Sequence, residues 1–129
     1  GVPKSLPSII KAQRIQEKAK GIGFEWENKK DVWKKVNEEI DELKKEVNSN
    51  SKIDRIEEEF GDVLFSLINY ARFIGVNAEN ALAKSNKKFI NRFTKMEELL
   101  VLDKINIENV NLEIMDKYWI KAKKMEKQT

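Results

Sequence analysis

Apolar residues recur at three- and four-residue intervals in segment after segment of this chain, and that rhythm dictates what it can fold into. The third segment carries it most fully: Ile56, Phe60, Val63, Leu64, Leu67, Ile68, Ala71 and Ile74 fit a helical period. They cover a surface too broad for one contact face, so burial on more than one side is expected. Alternation of the kind a half-buried strand requires never persists beyond a few residues, and there is no fixed-period repeat or low-complexity tract. The fold class is therefore all-α. A four-helix-bundle-like arrangement with an additional C-terminal helix is expected, completed by a second copy of the chain over part of the third helix.

Punctuation places the other helices. From about residue 7 to 20, Ile9, Ile10, Ala12, Ile15 and Ala19 keep helical spacing, and Gly21 and Gly23 stop the run. Phe24 and Trp26 fall in a connector, after which Asn28 is a natural N-cap. The second helix reaches about Val47 on a stripe of Val32, Val36, Ile40, Leu43 and Val47. A polar loop over 48–51 follows, where Ser51 and Asp54 resemble a capping box for the third helix. Gly75 ends that helix. Asn77 opens a fourth to about Leu100, with Leu82, Phe89, Phe93, Met96 and Leu100 on one stripe, and a looser stretch over 101–111 leads to a last helix through Met115, Trp119 and Met125. With 129 residues, 40% of them hydrophobic, the whole reads as one domain, 1–129, with 1–6 as a lead-in segment.

Composition narrows the chemistry. The chain contains no histidine and no cysteine, which removes imidazole and thiolate as bases, nucleophiles and metal ligands. Catalysis must then run on carboxylates, lysine, arginine, tyrosine or a metal. Net charge is +3 with 36% charged residues, a mixed surface whose slight basic excess suits nucleotides and nucleic acid alike. No apolar run approaches the roughly 18–20 residues that span a bilayer, and no signal-peptide pattern is present, so a cytoplasmic setting is the default. The opening Gly1-Val2-Pro3 lacks an initiator methionine, as a fragment or processed chain would.

Two acidic clusters stand out against this background. Glu38, Glu39 and Glu42 read Glu-Glu-x-x-Glu, and Glu59 and Asp62 read Glu-x-x-Asp. Those spacings put the members of each cluster on shared helix faces, where like charges cost about 0.2–0.5 kcal/mol per pair. A hard divalent cation such as magnesium between the helices would relieve the repulsion. On spacing alone a solvated acidic face competes equally; flanking Ile40, Leu43, Phe60 and Val63 tip the balance toward the bundle interior. Gly61 sits mid-helix at a cost of about 1 kcal/mol, and close approach of a neighbouring backbone is the simplest compensation.

Lys35-Val36-Asn37-Glu38-Glu39-Ile40-Asp41-Glu42-Leu43, followed by Glu57-Glu58-Glu59-Phe60-Gly61-Asp62-Val63-Leu64-Phe65, resembles the MazG family of nucleoside triphosphate pyrophosphohydrolases. Gly23-Phe24-Glu25-Trp26 resembles the family's segment before the acidic helix. Asn86 to Phe93 resembles its basic helix, and Tyr118-Trp119 its terminal aromatic. Family members often carry two such domains, and residues 1–7 look like the lead-in to the second. The resemblance implies an all-α dimer that hydrolyses an NTP or dNTP to the monophosphate and pyrophosphate with magnesium, one to three ions per site, which manganese can replace. It carries Glu39, Glu42, Glu59 and Asp62 over as metal ligands. Glu38 is then left to orient or deprotonate the attacking water.

On the fourth helix Lys84, Lys88, Arg92 and Lys95 recur at three- and four-residue intervals. Alone, such a run is a solvated basic face; beside an acidic site, Lys88 and Arg92 become candidate triphosphate contacts. Trp119 is a candidate to stack on a base, though tryptophan at helical spacing is more often core. Trp33 is expected in the core and Trp26 at a pocket wall. The competing readings are a basic helical module that binds nucleic acid through Lys84, Lys87, Lys88, Arg92 and Lys95, and a dimerisation module without catalysis. Base and sugar specificity are not encoded in these motifs.

Overall fold

A computed structural model describes residues 1–126. Among them are five α-helices and one 3₁₀ turn: α1 (Ser8–Gly21), α2 (Lys29–Asn48), α3 (Ile53–Phe73), α4 (Ala78–Leu102), the 3₁₀ turn (Ile107–Asn109) and α5 (Leu112–Glu126). The all-α expectation holds. Asn28 caps α2 as its position suggests, its side-chain oxygen accepting from the Asp31 N–H at 3.1 Å. Asn77 does the same for α4, accepting from Asn80 at 2.9 Å. Gly23 and Gly75 sit at φ 91° and 76° just beyond α1 and α3, where the chain must leave the helix through the left-handed region that glycine enters without strain.

The chain divides into two compact units, Gly1–Ala81 and the part from Leu82 onward. In the first, α2 and α3 form a helical hairpin around a four-residue loop, and α1 packs on α3. Val32 and Val36 of α2 are sealed in, as are Val63 and Ile68 of α3, which is where the apolar stripes of the two helices must meet. In the second, Met96 and Leu100 of α4 close on Tyr118 of α5, with Leu99, Ile105, Ile107, Ile114, Met115 and Trp119 packed around them. Among the described residues no helix is long and apolar enough to cross a membrane.

Three local expectations differ from what is observed. Ser51 does not cap α3: that helix has Lys52 at its N-cap with no side-chain bond, while the Ser51 hydroxyl donates to Glu46 at the end of α2. Trp33 is not core but 45% exposed, its ring tilted on Tyr70 with centroids 4.8 Å apart. Gly61 has no close neighbour among the described residues, since a Cβ built there meets nothing within 4 Å. The breadth of the apolar surface on α3 is real, and Phe60, Leu64, Leu67 and Ile74 remain exposed along it at helical spacing.

Candidate functional site

The α2–α3 hairpin brings three of the five acidic candidates together. Glu39 projects from α2, Glu59 and Asp62 from α3, and one carboxylate oxygen of each lies within 4.8 Å of the others. The side chains of Glu39 and Glu59 keep only 14% of their exposure, so water does little to screen them from one another. Burial, then the charge of Asp62, pushes the Glu59 carboxyl above its ordinary value, with Glu39 and Glu42 adding to the shift. Glu42 itself is exposed and outside the trio. Glu38, also exposed, makes its charge felt at Lys35.

Two cations moderate this acidity. Lys35 reaches Glu39 at 2.8 Å from one turn earlier on α2. That hydrogen bond, together with the fields of Glu39, Glu38 and Asp62, raises its ammonium above the ordinary lysine value. Arg55 spans Glu46 at 3.3 Å and Glu59 at 3.8 Å. Neither cation was a candidate site residue by sequence. The i,i+4 spacing of Lys35 and Glu39 signals the first, but such pairs are common on any charged helix.

The donor set suits a hard divalent ion: carboxylate oxygens only, clustered, under mutual repulsion that a cation would offset. A recess of about 280 Å³ opens beside it, lined by Lys35, Glu39 and Asp62 together with Trp26, Val32, Phe65, Ser66 and Asn69. Trp26 thus stands at a pocket wall, as its sequence context suggests. Next to this recess is a larger cavity of about 450 Å³, lined on its apolar side by Ile15, Ala19, Phe24, Trp26 and Phe65. On its polar side Arg72 donates to both oxygens of Glu25 at 2.9 and 2.8 Å, and to the Asn69 side-chain oxygen at 2.8 Å. The guanidinium holds Glu25 below its ordinary carboxylate value. Glu25 and Arg72 are 47 residues apart, so no local spacing announces them.

The second unit holds the basic candidates. Lys84, Lys87, Lys88 and Asn91 line a recess of about 300 Å³ with Glu126. Arg92 shares its Nε–H between the two carboxylate oxygens of Glu126, at 3.0 and 2.8 Å. Trp119 is partly buried, its ring tilted on Phe89 at 5.2 Å and its flank on the Met96–Leu100–Tyr118 cluster.

The chain as a whole is similar to known proteins. Residues 27–96, which contain all five acidic candidates, match the MazG nucleotide pyrophosphohydrolase domain. Over 118 residues the chain is 44% identical to the nucleoside triphosphate pyrophosphohydrolase/pyrophosphatase MazG of Thermotoga maritima, covering 92% of this chain and 45% of that protein. Over 127 residues it is 39% identical to a nucleoside triphosphate pyrophosphohydrolase of Escherichia coli K12, covering 97% of this chain and 48% of the other. The chain therefore spans about half the length of the curated relatives it matches.

Proposed function

We infer, from the premise that this chain belongs to the MazG nucleotide pyrophosphohydrolase family, that it hydrolyses nucleoside or deoxynucleoside triphosphates to the monophosphate and pyrophosphate, in the service of nucleotide-pool housekeeping. The observation that carries this reading is the convergence of Glu39, Glu59 and Asp62 from two helices beside a recess. In it, Glu39, Glu59 and Asp62 hold magnesium, and Glu42 joins them. When bound, the metal neutralises phosphate oxygens and so lowers the barrier to attack at phosphorus.

The remaining roles fall to the chain's own groups. Glu38 accepts a proton from the water whose oxygen bonds to the α-phosphorus, while the bond from that phosphorus to the bridging oxygen breaks and pyrophosphate leaves. Lys35, already drawn toward the acidic trio, is placed to transfer its ammonium from Glu39 to a phosphate oxygen. Lys88 and Arg92 grip the polyphosphate, Arg92 exchanging Glu126 for phosphate, and Trp119 supplies a substrate contact. This domain works as a homodimer.

Glu39→Gln and Asp62→Asn test the assignment. Each should lower magnesium-dependent pyrophosphate release by at least a hundredfold across a panel of NTPs and dNTPs, with helicity unchanged by circular dichroism. Retained turnover in both variants would falsify it. The lysine-lined recess on α4 supports a second reading, nucleic-acid binding, in which affinity falls steeply with salt and is indifferent to Glu39 and Asp62.

A further inference from the structure

Arg55 has no part in the chemistry described so far, yet its surroundings are specific. It lies one turn before Glu59 on α3 and approaches that carboxylate only to 3.8 Å, too far for a hydrogen bond. Its Nε–H goes instead to Glu46 at 3.3 Å. Glu46 sits in the last turn of α2, the end of a helix where the backbone dipole disfavours an anion. Two donors hold it there, the Ser51 hydroxyl on one carboxylate oxygen and Arg55 on the other. A carboxylate that is unfavourable for its own helix is thus accounted for by the guanidinium it holds.

The side chains of Glu46 and Glu59 are 20% and 14% exposed and that of Arg55 58%, so a solvated cation stands between two largely covered anions. Only one of these, Glu59, belongs to the acidic trio. Unlike Lys35, Arg55 is not part of the recess lining, and its influence on the site passes through Glu59. We propose that Arg55 is a tethered counter-ion that sets how tightly the acidic trio holds a divalent ion, with Glu46 as the tether. Before the ion binds, the guanidinium offsets part of the repulsion among Glu39, Glu59 and Asp62. Once the ion is bound the same charge opposes it, and Glu46 limits that opposition by keeping the guanidinium from closing on Glu59. Both are positioning residues, since neither touches the reacting atoms. The inference rests on the pyrophosphohydrolase reading in taking the trio as the metal site, and adds to it the residues that tune the affinity.

Manganese alone, titrated into nucleotide-free protein and followed by loss of the free ion's paramagnetic resonance signal, tests this without recourse to turnover. Arg55→Gln should tighten manganese binding about fivefold, the scale of one partly exposed charge acting on a divalent ion. Arg55→Lys keeps the charge and should stay within about twofold of the unchanged protein. Glu46→Gln should weaken binding about threefold while Arg55 is present and have little effect when combined with Arg55→Gln, the non-additivity of coupled residues. A merely structural Arg55 gives the opposite sign, because its loss would loosen the hairpin and weaken binding. Manganese affinity unchanged or lowered in Arg55→Gln, or additive effects in the double variant, would overturn the proposal and leave the reaction assignment standing. Failure of the unchanged protein to bind manganese would remove the metal site, and this inference with it.

Discussion

Gly61 lies between Phe60 and Asp62 on an exposed part of α3, and the space where a methyl group would go is open within the chain. Glycine inside a helix is then a pure loss of about 0.5–1 kcal/mol in backbone entropy. Gly61→Ala should raise thermal stability by that amount, read as a higher unfolding midpoint at fixed protein concentration. A lower midpoint would mean that another chain occupies the space. Residue by residue, the two acidic clusters are legible in the sequence because three- and four-residue spacing fixes which carboxylates share a face. Which of them meet across helices is not legible, since that depends on the register of α2 against α3. That register selects Glu39 over Glu38 and leaves Glu42 at the margin. Lys35 and Asn69 are hidden for a related reason: each is an ordinary helical polar residue until the hairpin turns it toward the recess.

Among the elements, the connector between α1 and α2 depends most on a single interaction. It carries Phe24 and Trp26, and its Glu25 is pinned to α3 by Arg72, with side chains 19% and 13% exposed. Because the pair lowers the Glu25 value in the folded state, its contribution is fully present above the ordinary glutamate value of about 4.3. It is lost as pH falls through the depressed folded value below that. The connector should thus stay docked through mildly acidic pH and release only below about pH 4. Trp26 fluorescence, with Trp33 and Trp119 replaced by phenylalanine, should report that transition, and Glu25→Gln should abolish its pH dependence. Helix limits were readable because Asn28, Asn77, Gly23 and Gly75 act within a turn of themselves. The Ser51 cap was misread because Glu46, five residues earlier, competes for its hydroxyl, and a carboxylate is the stronger acceptor.

For the whole molecule, the exposed row of Phe60, Leu64, Leu67 and Ile74 is the surface most in need of a cover, and a second copy is the economical one. Sedimentation should give a dimer, and Leu64→Lys with Leu67→Lys should shift it to monomer at micromolar concentration while helicity persists. A dimer indifferent to both changes would place the interface elsewhere. The sequence pattern foretells that α3 has two apolar sides, but it carries no information on which one its own chain covers. The α2–α3 hairpin has a further consequence, for how the protein comes into being. Glu39 and Glu59 belong to neighbouring helices joined by four residues, so only a short loop must close before they meet, and contacts of such low order form early and fast. The acidic trio should therefore be among the first tertiary features to appear in a refolding chain, and a divalent cation held by it should slow the opening of this hairpin more than that of α5.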